Sequence, residues 1–285
     1  MARVIKWYHR QTKRVRDSIS FSIMGIGFIS TLMTILGFSL GNWFESYCAR
    51  FFVVLLAGLV IYFSYFYYIG ETYKGEIDLI IGNTPVFIGC GNIFNTTGWK
   101  VIGCDTHFDT RVDDIVISKK SLHGQLVLEH GTIGSINAVV EQEAKKLNLK
   151  KNSNGQYDFE LGTVIKYESV VDNETYLMLA LSRLDEKYKA YTNIADFEQT
   201  LITMWNEIDR VYAGNDIVLP LLGTGITRFK DGPKGNEPLL RCMLCTLNNS
   251  GISLKSKVKI VIYGEAKDIP LYEYKDMFRM IPGCN

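Results

Sequence analysis

Two long stretches of this sequence carry no charge. Residues 18–44, between Asp17 and Glu45, hold no Asp, Glu, Lys, Arg or His, and neither do residues 51–70, between Arg50 and Glu71. A helix needs about 20 mostly apolar residues to cross a bilayer core roughly 30 Å thick, and both stretches are long enough. They exclude a simple soluble globule, a disordered chain and a disulfide-dense secreted domain. Cysteine is sparse: six in 285 residues, at 48, 90, 104, 242, 245 and 284, make no dense framework, and a reducing compartment follows. Cys242 and Cys245 read C-M-L-C, but no second C-x-x-C and no His pair at zinc spacing accompanies them. They are expected to be small apolar residues on one helix face, and no metal site is expected.

Basic charge is missing from most of the chain. Residues 1–17 carry a net +5 and residues 18–70 a net of zero, which leaves −4 for the remaining 215 residues. That part has no cationic surplus to neutralise a phosphate backbone, so nucleic acid is not an expected partner. No charge sits at mid-membrane depth either, which argues against an ion-selective channel or proton pump.

What is present starts with a hairpin. Phe21–Leu40 and Phe51–Ile69 read as two transmembrane helices joined by a tight link, Gly41–Arg50. The apolar stretch is too long for a signal peptide, and a second follows at once. Six basic residues before the first helix place the N-terminus in the cytoplasm by the positive-inside rule, and two crossings return the chain to the same side of the inner membrane. Trp7, Tyr8, Trp43, Tyr47, Tyr65, Tyr67 and Tyr68 stand where interface anchors belong. Gly25, Gly27, Ser30, Thr31, Thr34 and Gly37 allow close helix approach, either within the hairpin or between copies. The expected organisation is a basic cytoplasmic tail (1–17), a transmembrane hairpin (18–70) and one cytoplasmic domain (76–285).

From residue 76 short β-rich runs alternate with helical ones. Strands are predicted at Ile77–Ile81, Val86–Cys90, Lys100–Cys104, Thr163–Glu168, Tyr176–Leu181, Asp216–Leu222 and Lys257–Tyr263. Helices are predicted at Gly134–Leu147, Ala195–Val211 and Glu237–Asn248. Several strands are continuous apolar runs, as in a sheet covered on both faces. The expected fold is α/β: the hairpin, then a three-layer α/β/α domain with a mixed sheet. The stripe of Phe197, Leu201, Trp205, Ile208 and Tyr212 recurs at helical spacing and is expected to pack the core.

Chemistry concentrates at three strand ends. Asp216–Phe229 reads D-I-V-L-P-L-L-G-T-G-I-T-R-F, a hydrophobic strand ending in Gly223-Thr224-Gly225. Glycines flanking a hydroxyl residue permit positive φ and close backbone approach, so that amides can converge on a phosphate. The loop lacks the Lys-Ser/Thr of a Walker A motif, which excludes an ATPase of that type. Lys100–Asp109 reads K-V-I-G-C-D-T-H-F-D and leads through T-R-V-D-D-I-V-I-S to K-K-S-L-H-G-Q at Lys119–Gln125. Upstream stands V-F-I-G-C-G-N-I-F, with Gly91-Asn92-Ile93. His107 and His123 have no companion nucleophile, so no catalytic triad is formed.

These three pieces, in this order, resemble a macro domain, the ADP-ribose-binding α/β/α fold. Gly91-Asn92-Ile93 matches the family's G-D-I with Asn92 in place of the acid that meets adenine. Val101–Cys104 with Asp105–Asp114 and Leu122–Gln125 matches the strand and loop beside the distal ribose, and Leu222–Phe229 matches the phosphate loop. The run C-D-T-H-F-D-T-x-x-D-D-x-x-I-S-x-x-S-L-H-G is similar to the transmembrane–macro effectors of Thoeris antiphage defence, which join two N-terminal membrane helices to this domain. The resemblance implies that a partner TIR-domain enzyme makes an ADP-ribose-derived signal from NAD, with histidine as its second moiety. The macro domain binds the signal, the effector self-assembles and the lipid membrane is disrupted, an abortive-infection response.

The implied ligand-binding residues are Asn92, Ile93, Asp105, His107, Asp109, Asp113, Leu122, His123, Gly124, Leu222, Gly223, Thr224, Gly225, Ile226, Arg228 and Phe229. Asp105, Asp109, Asp113 and Asp114 have two readings: contacts to ribose hydroxyls or a cationic moiety, or a solvated acidic loop. Hydrolytic macro domains place water with an Asn and a Gly-rich ribose loop, where this chain has C-D-T-H-F-D-T-R-V-D-D. Binding without catalysis is therefore expected, with no catalytic residue and no cofactor. The alternatives are a membrane-anchored ADP-ribosyl hydrolase and a reader of ADP-ribosylated partners.

Overall fold

The computed structural model describes residues 2–37, 46–70, 75–185, 190–225, 228–230 and 232–264, with positions 269, 271, 274, 277 and 278; side chains of the first helix are described from residue 15. Trp43, Ile226 and the side chains of Trp7, Tyr8 and Arg228 lie outside the described set. The chain divides into two compact units, Met1–Lys74 and Gly75–Asn285.

Helix α1 spans Ala2–Ile35 and α2 spans Tyr47–Tyr68. No Gly or Pro interrupts residues 2–24, so the basic segment is helical from Ala2 and forms the first turns of α1. The helix stops five residues before the expected Leu40, where Gly37 takes a left-handed φ of 74° and Leu36 and Gly37 bond back to Leu32 and Thr34. Val15–Ile35 and Tyr47–Tyr68 are long and apolar enough to cross a membrane.

The two helices pack through Phe21 stacked on Tyr65, ring centres 3.9 Å apart, and through Gly25 against Ile61. At Gly58 a Cβ would stand 2.8 Å from the Ile26 side chain, so glycine permits this approach. Gly27, Ser30, Thr31 and Thr34 face outward, the two threonine hydroxyls donating to the carbonyls of Gly27 and Ser30 at 2.9 Å.

The second unit is a nine-stranded mixed sheet. Its elements are β1 (Glu76–Ile81), β2 (Thr84–Cys90), β3 (Trp99–Asp105), α3 (Leu122–Gln125), α4 (Ile133–Lys146), β4 (Val164–Glu168), β5 (Thr175–Leu184), β6 (Ala190–Thr192), α5 (Ile194–Val211), β7 (Ile217–Pro220), β8 (Arg228–Phe229), α6 (Asn236–Asn249) and β9 (Val258–Ile262). The order is β1-β2-β9-β7-β3-β5-β6-β8, with β4 also paired to β5. Every expected strand and helix is present; β6 and β8, three and two residues long, are additions. Strands this short carry too little periodicity to be read from sequence.

The central five strands, β2, β9, β7, β3 and β5, are mutually parallel. They are buried on both faces, which explains their continuous apolar runs. Helices α5 and α6 cover one face, where Phe197, Leu201, Met204, Trp205 and Ile208 interlock with Leu239, Leu240, Met243 and Leu247. The aromatic stripe on α5 is thus core, and Trp205 also donates its indole N–H to Thr246 at 3.2 Å. Burying each such side chain contributes about 1.5–3 kcal/mol. On the other face Ile136, Val140 and Ala144 of α4 pack with Leu126, Phe159, Tyr167 and Tyr176. Cys242 is buried and Cys245 partly so on α6, and burial pushes both thiols up, Cys242 to about 12.

Candidate functional site

In an open α/β sheet, ligands bind beyond the carboxyl ends of parallel strands. All five parallel strands end on one side of this sheet, and a cavity of about 930 Å³ opens over those ends. Its walls follow the strand order. Gly91, Asn92 and Ile93 continue from β2, and Ile262 and Tyr263 end β9. Leu222, Gly223, Thr224 and Gly225 follow β7, Asp105 ends β3, and Ser182 and Leu184 end β5. The segment Ser118–His123, reached from β3, completes the lining.

Each wall is held by local chemistry. Asn92 caps the short 3-10 turn Ile93–Asn95, its Oδ1 accepting from the Phe94 amide at 3.0 Å. Gly91 is tied to β9 by its amide bond to the Ile262 carbonyl at 3.0 Å. Gly223 has φ +82°, and a Cβ there would meet Leu239 at 3.2 Å and Phe197 at 3.3 Å. The turn needs glycine for conformation and for closeness to the core. Thr224 donates its hydroxyl to the Leu221 carbonyl at 2.8 Å. Among the described residues no atom would meet a Cβ at Gly225 within 4 Å, so there this glycine relieves no clash.

The sequence-predicted residues separate into three groups. Asn92, Ile93, Asp105, Leu122, His123, Leu222, Gly223, Thr224 and Gly225 line the cavity together. His107, Asp109, Asp113, Gly124 and Phe229 do not, each engaged elsewhere. His107 Nδ1 is 2.8 Å from the Tyr157 carbonyl. Asp109 receives the Arg111 guanidinium at 2.7 Å and Gln156 at 2.9 Å; burial opposes its ionisation, but these bonds hold its carboxyl below the usual value. Asp113 accepts the amides of Ile115 and Val116 at 2.8 Å, which lowers its pKa. The acidic run is therefore largely a self-bonding loop, in which Asx turns consume the carboxylates.

Gly124 serves packing: a Cβ would fall 2.2 Å from the Ser118 carbonyl. Phe229 lies in the core, edge-on to Phe197. Of Arg228 only the backbone is described, in β8. Ile226 lies outside the described residues.

His123 is the most unusual member. Its residue is 6% exposed, and its Nε2 is buried with no hydrogen-bond partner. Burial lowers its pKa, and the nearby Asp105 and Asp109 charges oppose that only in part. Among the described residues no three His, Cys, Asp or Glu side chains converge as a metal site.

Residues 86–263 match the family profile described as the macro domain of Thoeris protein ThsA. The chain belongs to this family. Thoeris protein ThsA of Bacillus amyloliquefaciens (strain Y2) is 28% identical over 242 residues, 81% of this chain and 80% of that protein. The Oceanobacillus iheyensis macrodomain with ADP is similar in structure, with TM-score 0.49 and 14% identity over 72% of this chain and 96% of that one. A mutant of the same macrodomain with ADPR gives TM-score 0.49 and 15% identity over 72% and 98%.

The macro-domain cavity also uses residues that sequence reasoning passed over. Tyr263, 87% exposed, follows the last residue of β9 and lines the cavity, as Asn92 does. The strand-end rule that singled out Gly223–Gly225 applies equally to Tyr263. Lys119 and Lys120 stand in the K-K-S-L-H-G-Q run and line the same cavity. Their alternation with serines in a short turn gives no periodic signal, and only the closure of the loop onto β3 brings them to the site.

Proposed function

We propose that this protein is a membrane-bound Thoeris effector whose macro domain binds an ADP-ribose-derived signal. The observation that carries this reading is the cavity over five parallel strand ends, with the Gly223–Gly225 turn at its middle strand. At about 930 Å³ it lies near the upper end of the 300–1,000 Å³ usual for small-molecule sites, which suits a dinucleotide-sized ligand with a further moiety. The Asn92 amide and the exposed Tyr263 ring suit a purine at the β2–β9 end, by edge hydrogen bonding and stacking. The Gly223–Gly225 turn over β7 suits the diphosphate. Asp105 at the end of β3 and His123 on α3 suit hydroxyls of the distal ribose.

In this reading a partner TIR-domain enzyme makes the signal, with a histidine–ADP-ribose conjugate as the favoured candidate. Binding then stabilises an assembled state of the effector, because the ligand has higher affinity for that state than for the resting one. The two apolar helices span the inner membrane with both termini in the cytoplasm, and assembly disrupts the bilayer. The outward row of Gly27, Ser30, Thr31 and Thr34 supports helix contacts beyond the hairpin. We assign binding, and no hydrolysis, to the macro domain.

The test is calorimetry on the full chain in detergent micelles with NAD, ADP-ribose and amino-acid-conjugated ADP-ribose, each followed by chromatography of the ligand. Tight binding of a conjugate, recovered intact, is the expected result. Turnover would replace this reading with that of a membrane-anchored hydrolase. In vesicles loaded with dye, the conjugate should cause release; binding without release would leave an anchor that only recruits partners.

A further inference from the structure

We infer that Lys120 is an anion-binding residue of the cavity, acting with the Gly223–Gly225 amides on the phosphate-bearing part of the ligand. The inference rests on the reading above only for the ligand's identity, since any diphosphate would be held in the same way.

Four observations carry it. First, Lys119 and Lys120 both line the cavity, in a domain whose net charge is negative. Second, their turn is rigidly built. Ser121 Oγ donates to the Ser118 carbonyl at 2.7 Å and accepts the Gly124 amide at 2.9 Å, while Gln125 Nε2 donates to the Lys120 carbonyl at 3.1 Å. Gly124 lies so close to Ser118 that no side chain fits between them. Third, the two lysines are used differently. Lys119 is consumed by Asp114, which accepts its amide at 2.9 Å and its ammonium at 3.5 Å. Lys120 Nζ has no carboxylate within ion-pair distance among the described residues. Fourth, this turn and the glycine loop line the same cavity, and the strands they follow, β3 and β7, are adjacent and parallel. Both loops leave the sheet at the same edge.

A preordered turn that lines a cavity and carries an ammonium with no carboxylate partner among the described residues loses little entropy when an anion arrives. Backbone amides at Gly223–Gly225 supply directional bonds, and Lys120 supplies the net charge that amides lack. The binding of an anionic dinucleotide to this acidic domain thus does not rest on amides alone.

The experiment compares wild type, K120Q, K120E, K120R and the remote control K145E, as full chains in detergent micelles. Calorimetry is run with ADP-ribose, ADP, inorganic pyrophosphate and adenosine at two salt concentrations. Lys145 sits on α4, paired with Glu141 at 3.0 Å and away from the cavity. K120E is expected to weaken ADP-ribose, ADP and pyrophosphate by about tenfold or more, with adenosine unchanged, K120R near wild type and K145E silent. Wild-type affinity should fall with salt, and K120Q should flatten that dependence. Equal affinity of K120E and wild type for ADP-ribose overturns the inference, as does an equal loss for adenosine, which would mark general damage to the loop. Wild-type binding of ADP and pyrophosphate without ADP-ribose, with the K120E loss retained, would sink the ligand reading and leave the anion assignment standing. Failure of wild type to bind any phosphorylated probe overturns both.

Discussion

The Phe94 ring lies flat on the His130 imidazole, with ring centres 4.2 Å apart and planes 11° from parallel. Phe94 sits two residues past Asn92, and His130 follows Glu129; Asn92 and Glu129 both line the cavity. The stack therefore ties the wall that continues β2 to the wall that continues α3. Tyr176 leans on both rings from beneath, at 6.3 Å from Phe94 and 6.0 Å from His130. Stacked aromatic pairs contribute about 0.5–1.5 kcal/mol beyond the area they bury. Phe94→Ala should lower the melting temperature of the macro domain by a few degrees. It should also weaken ADP-ribose binding by roughly threefold to tenfold, because Asn92 loses its support. A melting scan with calorimetry on the same sample checks both; loss of stability without loss of affinity would show that the two walls are independent.

The two loop glycines should respond differently to the same substitution. At Gly223 a methyl group adds strain at φ +82° and presses on Leu239 and Phe197. Gly223→Ala should therefore cost about 1 kcal/mol or more in stability as well as affinity. At Gly225 the added atom meets nothing within 4 Å among the described residues, so Gly225→Ala should leave stability unchanged. Gly225→Glu should remove diphosphate binding while the fold and membrane insertion remain intact, because a carboxylate would occupy the anion's place. Unchanged calorimetry for Gly225→Glu would move the phosphate site elsewhere in the cavity.

Acid sensitivity should trace to Asp172. Burial opposes its ionisation, but the Tyr176 hydroxyl at 2.7 Å, the Glu174 amide and His130 at 2.9 Å outweigh it and hold the carboxyl at about 2. A carboxyl whose folded pKa lies below its unfolded value stabilises fully above the unfolded value, about 3.9 for Asp. That contribution is lost as pH falls from about 4 toward the folded value of about 2. Asp172→Asn should flatten the stability profile in this window. Since Asp172 also braces His130, the variant should loosen the stack under Phe94 at neutral pH. Thermal melts from pH 2 to 7 test both statements.

The sheet was legible in the sequence because its parallel strands, buried on both faces, are long apolar runs that contrast with every neighbour. Val101, Ile102, Leu177, Leu179, Leu219 and Ile260 all fall in such runs, and all are fully buried. The glycine loop was legible because Gly-Thr-Gly at a strand end is a local signal. The acidic loop stayed open to two readings for a physical reason: a carboxylate near a strand end looks available for a ligand until its turn bonds are known. Asp109 and Asp113 spend their oxygens on Arg111, Ile115 and Val116, contacts that composition does not reveal. Lys120 and Tyr263 depend on loop closure and strand register, which are long-range facts. The helical conformation of the basic segment was not legible because charge marks membrane topology without marking where a helix begins.

His123 offers a separation of stability from binding. A buried nitrogen without a partner costs about 1–3 kcal/mol in the unliganded protein, and its neighbours keep the ring from swinging to solvent: Gly124 is pressed against Ser118, and Ser121 caps the turn. Replacement by an apolar side chain of similar reach removes the unpaired atom along with its cost. His123→Leu should therefore leave the melting temperature of the ligand-free chain unchanged or raise it by a few degrees. If Nε2 is completed by a ligand hydroxyl, the same variant should bind ADP-ribose about tenfold more weakly, since a hydrogen bond to a buried group is worth roughly 0.5–1.5 kcal/mol. His123→Gln, which restores a polar atom at similar reach, should recover part of the affinity and none of the stability. A His123→Leu protein that is both less stable and equally competent to bind would show the opposite: an imidazole kept for packing on α3, with no part in recognition.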